Sequence, residues 1–126
     1  MVWYPSVEDI VCLNMLSLSM TSDKHPFKLL GSHKGIQAII ESVMKEEEKG
    51  LSYQAAYLMK ALVNYHAFGG GNHRTAYATI YSFLERNGKR LRVSNWNEAY
   101  PFIKNIERRS IEEVRRWIEH GQKEDL

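Results

Sequence analysis

Apolar positions along the chain recur at helical rather than strand spacing. In "KGIQAIIESVMKEEEKG", Ile36, Ile39, Ile40, Val43 and Met44 fall at i, i+3, i+4, i+7 and i+8, which builds one apolar stripe on a helix and leaves Lys45 to Lys49 as a solvated end before a stop at Gly50. "SYQAAYLMKALVNYHAF" carries Ala, Leu and Met nearly all round, the pattern of a central, buried helix. "RTAYATIYSFLERNG" sets Ala76, Ile80, Phe83 and Leu84 on one face and ends at a Gly88 cap. In "SIEEVRRWIEHG" the stripe is Ile111, Val114, Trp117 and Ile118, with Gly121 as terminator. Ser110 and Glu113, like Ser6 and Asp9 before the less regular "VEDIVCLNMLSLSM", have the three-residue spacing of a capping box.

Two stretches break this pattern. Residues 20–33, "MTSDKHPFKLLGSH", contain Pro26 and Gly31 and read as a long ordered loop. "KRLRVSN" alternates Leu91 and Val93 with polar residues and predicts a short extended piece. "NWNEAYPFIKNIERR" reads as a further helix in which Pro101 is tolerable only near a first turn. The expectation is an all-α fold, a compact bundle of about six helices forming a single domain over residues 1–126.

Composition narrows the setting. Hydrophobic residues are 44% of 126, enough for a real core, and only the ends, such as "GQKEDL", read as frayed. The formal charge of +2 is mild, so "GKRLR" and "ERRS" read as solvated edges rather than a nucleic-acid surface. Cys12 is the single cysteine and lies in an apolar-periodic segment, where a buried, inert thiol is expected. No secretory leader and no bilayer-length apolar run is visible, so the expectation is a soluble cytoplasmic protein with no membrane partner.

The chemistry concentrates in "NYHAFGGGNHRTA", where three glycines separate two helical segments. Backbone without Cβ adopts positive φ and approaches a ligand closely, and successive N–H groups there form an anion-binding nest. With Asn72 as cap of the following helix, the N–H groups of its first turn aim at the same spot. Arg74 adds a planar donor fork suited to phosphate oxygens. His66, on the other side of the turn, can serve as a proton acceptor. A plain connector at Gly69 and Gly70, and a solvated charge at Arg74, are the simpler alternatives. A cation at a helix N-terminus opposes the dipole, which favours an anionic partner. His25, His33 and His120 read as surface residues, and His66 with His73 lacks the spacing of a metal pair. Tyr57, Tyr65, Tyr77 and Tyr81 read as core or rim.

The run "HAFGGGNHRTA" resembles the signature of the Fic/Doc family, H-x-F-x-[D/E]-[G/A]-N-x-R: His66, Phe68, Gly71, Asn72 and Arg74 match it in identity and spacing. "TA" after the motif and the later "FLERNG" are similar to the Doc (death-on-curing) branch, as is the layout of an N-terminal helix, a loop ending in "GSHKGIQAIIESV" and a long central helix. The resemblance implies a helical Fic/Doc domain that uses ATP or another NTP with Mg²⁺ to modify a protein. In it His66 would deprotonate a target hydroxyl, Phe68 would anchor the loop, Gly71, Asn72 and His73 would line the phosphates, and Arg74 would bind a terminal phosphate. Implied partners are a protein substrate such as a translation factor and a separate antitoxin. The implied activity is phosphoryl or nucleotidyl transfer to Ser, Thr or Tyr, by a kinase or AMPylase.

Two positions depart from the family. Where it carries Asp or Glu to hold Mg²⁺, this chain has Gly70, with no oxygen to donate. Where the Doc branch carries Lys, it has His73. The family's self-inhibitory [S/T]-x-x-x-E-[G/N] helix finds its nearest counterpart in Ser94 to Glu98, which fails at Ala99. The alternative reading is a binding module that keeps the fold and binds phosphate, nucleotide or a protein without turnover.

Overall fold

The chain folds, in a computed structural model that describes residues 1–20 and 26–121, into six α-helices and two short 3₁₀ turns. The first helix, α1 (Val7–Ser19), starts at the Ser6/Asp9 capping box the spacing predicts. It buries Val7, Ile10, Asn14, Ser17 and Leu18. Cys12 lies off that face and is exposed, contrary to the expectation of a buried thiol. Hydrophobic neighbours in sequence do not bury a residue that the 3.6-residue period turns outward.

Helix α2 (His33–Met44) is capped by the Ser32 hydroxyl, which accepts from the Gly35 N–H, and buries Ile36, Ile40 and Val43. It ends at Met44, and after a 3₁₀ turn at Glu47–Lys49 the left-handed Gly50 (φ 93°) caps α3 instead of stopping α2. Helix α3 (Leu51–Tyr65) is central, as its nearly uniform apolar surface predicts, and packs against α2, α4 and α6. The helices α4 (Asn72–Arg86), α5 (Trp96–Ile103) and α6 (Ile111–His120) complete the bundle. The Ser110/Glu113 capping box opens α6, and Gly88 and Gly121 take the positive φ of terminators.

Ile10, Ile36, Leu58, Met59, Ile80, Phe83, Leu84, Ile103 and Ile118 are essentially inaccessible in the resulting core, each contributing about 1.5–3 kcal/mol of transfer free energy. Pro101 sits in the second turn of α5 rather than near its start. The carbonyl it leaves without a donor belongs to the exposed Asn97, where water can replace the missing bond. Residues 89–95 form no strand. Leu91 and Val93 are buried as their alternation suggests, but no neighbouring backbone pairs with them, and alternation alone cannot supply a partner strand. The one β-bridge among the described residues joins Leu29 to Phe68. No helix among the described residues is long and apolar enough to cross a membrane. The expectations for His25 and for the residues after Gly121 lie outside the described residues.

Candidate functional site

The glycine turn joins two helices at a sharp corner, and the corner begins at His66. This residue caps α3 in the left-handed region (φ 55°, ψ 54°), the only non-glycine with positive φ among the described residues. A side chain there costs about 1–2 kcal/mol. The turn is clamped from the side by 28–31: Leu30 and Gly31 N–H groups donate to the Ala67 carbonyl (2.7 and 2.9 Å), and the Gly69 N–H donates to the Lys28 carbonyl (2.8 Å). Phe68 is buried and anchors the loop, with its ring against Phe27.

Asn72 does not cap α4. Gly71, left-handed at φ 71°, is the cap, and Asn72 is the first helical residue. Its side chain folds back on Phe68, accepting from the Phe68 N–H (3.1 Å) and donating to the Phe68 carbonyl (2.8 Å). This two-point contact satisfies a buried peptide unit, so Asn72 shapes the turn. Its Nδ2 also lies 3.4 Å from His66 Nδ1, bringing these two motif residues together.

The other two are directed elsewhere. His73 turns toward the 3₁₀ turn at Ile106–Arg108, with Nε2 3.4 Å from Glu107 Oε2 but outside hydrogen-bond geometry. Both side chains are partly exposed, so the contact stabilises little. Arg74 lays its guanidinium over the Trp96 ring, 5.4 Å from the centroid. It lines a groove of about 510 Å³ with Leu16 of α1 and Met20 just after it, Tyr77 and Tyr81 of α4, and Trp96. No carboxylate among the described residues pairs with Arg74. The Tyr77 hydroxyl at the groove donates to the Val93 carbonyl, and burial, with Tyr81 and Glu98 adding to it, pushes this phenol up to about 12.

The backbone N–H groups of Gly70 to Arg74 meet no protein acceptor among the described residues. The Thr75 N–H is the first of α4 to be satisfied, by the Gly71 carbonyl. The donors of the first helical turn are thus available to an anion. Fixing them in place is Asn14, a residue the sequence reading passed over. Wholly buried on α1, it donates through Nδ2 to the Gly70 carbonyl and to Thr75 Oγ1, both at 2.9 Å, while its Oδ1 has no partner. A polar residue on the buried face of α1, between Ile10 and Ser17, was the signal that could have found it.

The donor set does not suit a protein-held Mg²⁺. Gly70 offers only a carbonyl that Asn14 already occupies, and no group of three His, Cys, Asp or Glu side chains gathers among the described residues. Position 70 has room for a Cβ, which would meet only Leu18 Cδ2 at 3.6 Å. The chain matches no known family model, and no curated protein is similar to it.

Proposed function

We propose that this protein is a Fic/Doc-type transferase that moves a phosphoryl or nucleotidyl group from an NTP to a hydroxyl of a target protein. The observation carrying this reading is the contact between His66 and Asn72 across the glycine turn. An amide N–H₂ facing Nδ1 requires a lone pair there, because the other tautomer would oppose donor to donor. The basic atom of His66 is then Nδ1. A target hydroxyl entering there takes the place of the long Asn72 contact on that lone pair and gives its proton to Nδ1 as its oxygen attacks phosphorus. The bond from phosphorus to the leaving phosphate oxygen breaks in the same displacement. The unpaired N–H groups of Gly70 to Arg74 would hold the phosphate oxygens and take up their developing charge. Arg74, with no carboxylate partner among the described residues, would bind the terminal phosphate by swinging its guanidinium from the Trp96 ring toward the turn. No step is assigned to Mg²⁺. The test is incubation of the purified chain with phosphate-labelled ATP and cell extract, beside a His66→Ala variant. Labelling by the wild type alone supports the reading, and equal labelling by both removes the catalytic role.

A second reading is favoured by Gly70 and by His73, which is turned to Glu107 instead of the turn. On it the chain binds phosphate, nucleotide or an anionic segment of a protein without turnover. Calorimetry with ATP in Mg²⁺ and in EDTA separates the two. Equal binding in both, with no labelling, favours the module. Activity gained on Gly70→Asp identifies the missing carboxylate as the reason, and no binding in either buffer counts against both readings.

A further inference from the structure

Tyr65, the last residue of α3, precedes His66 and belongs to none of the chemistry above. Its ring occupies a slot that exists only because positions 31 and 35 have no side chain. A Cβ on Gly31 would lie 2.7 Å from Tyr65 Cε2, and one on Gly35 would lie 1.9 Å from its hydroxyl oxygen. Both are impossible without displacing the ring. In that slot the hydroxyl accepts from the Ser32 N–H at 3.0 Å and lies 3.4 Å from Ser32 Oγ. Ser32 Oγ in turn accepts from the Gly35 N–H at 2.9 Å as the cap of α2. One residue along the chain, Gly31 and Leu30 donate to the Ala67 carbonyl, immediately after the left-handed His66. The ring therefore ties the start of α2 and the 28–31 segment to the end of α3, on both sides of the strained residue.

We infer that Tyr65 is a positioning residue for His66: its ring, clasped between Gly31 and Gly35, holds the 28–31 segment on the glycine turn and thereby fixes the left-handed backbone that aims the imidazole. The catalytic consequence rests on the proposed role of His66 as base, while the clasp itself does not. The Ser32 hydroxyl, and then the Ser32 N–H, hold the phenol below the usual tyrosine range, consistent with an oxygen that acts as acceptor at this cap.

The test uses the full chain with Gly35→Ala, Tyr65→Ala and both together, and with Tyr65→Phe, which keeps the ring. Amide exchange is read at Leu30, Gly31 and Gly69, the donors that join the 28–31 segment and the turn, with Val114 of α6 as a distant control. The imidazole resonances of His66 are followed by NMR in the same samples. Gly35→Ala, which favours helix but ejects the ring, is expected to raise exchange at the three donors by about ten-fold and leave Val114 unchanged. It should also shift the His66 imidazole resonances. In the Tyr65→Ala background the same change should add nothing, because no ring remains to displace. Tyr65→Phe should retain most of the protection, since the slot is still filled. The inference is overturned if Gly35→Ala leaves exchange unaltered, or has the same effect with and without the ring. It is equally overturned if the donors open while the His66 imidazole resonances stay fixed. None of these readouts involves ATP, so a wild type that labels no target would defeat the transferase reading and leave the clasp intact.

Discussion

Replacing Asn72 by Ala is the most direct way to separate a structural motif residue from a ligand contact. The Asn72 side chain completes both polar groups of the buried Phe68 peptide, at 3.1 and 2.8 Å. Alanine leaves an N–H and a C=O unsatisfied, at about 1–3 kcal/mol each, against a gain of under about 1 kcal/mol in helix propensity. The net expectation is a loss of about 1–6 kcal/mol, a large part of a small domain's stability and about 5 °C or more in Tm. Urea denaturation followed by circular dichroism reads it directly. Asn72→Asp sharpens the case. One carboxylate oxygen can still accept from the Phe68 N–H, but the other faces the Phe68 carbonyl where an N–H₂ stood. Protonation turns that oxygen into a donor, so the folded state raises this carboxyl's pKa. The bond is then present below the ordinary carboxylate pKa of about 4 and lost as pH rises through the raised folded value. The Asp variant should therefore recover stability in mild acid relative to the Ala variant. A loss below about 0.5 kcal/mol for Asn72→Ala, or an Asp variant with no such acid recovery, would refute the account and return Asn72 to the role of a simple phosphate contact.

His66→Gly should stabilise the fold by about 1 kcal/mol, because glycine adopts φ 55° without strain and the imidazole is exposed. A loss of stability in the same urea assay would instead assign the imidazole a packing role. The Tyr77 contribution to stability should stay flat up to about pH 10 and fall between there and about 12, because this phenol is raised in the folded state and its neutral form is the one the fold favours. Tyr77→Phe should remove that alkaline component, and an unchanged profile would exclude Tyr77 as its source. Cys12 should react with a thiol reagent in the native state at a rate close to that in urea, since α1 turns it to solvent. A much slower native reaction would contradict that exposure.

The helices were legible because their causes are local. Apolar residues three and four apart, a serine with an acid three positions on, and a glycine past the last turn all act within about two helical turns. Those signals located α2, α3, α4 and α6, and they marked the glycine turn as a place of unusual backbone. Their failures share one form. Residues 89–95 have the alternation of a strand but no backbone alongside, and Pro101 sits deeper in α5 than propensity allows because the carbonyl it leaves faces water.

The candidate site was legible only as a set of residues. Its geometry depends on contacts across the chain: Asn14 reaches the Gly70 carbonyl from 56 residues away, and Ser32 reaches Tyr65 across 33. His73 turns off the glycine turn toward Glu107, and the Arg74 guanidinium lies over Trp96 in a groove with α1. Sequence spacing fixes which side chains share a helix face, but a side chain at the end of a helix points wherever its tertiary neighbours leave room and offer a partner. Helix geometry leaves the N–H groups at the start of α4 without intrahelical acceptors, and tertiary packing alone decided which of the side chains there turn away from them.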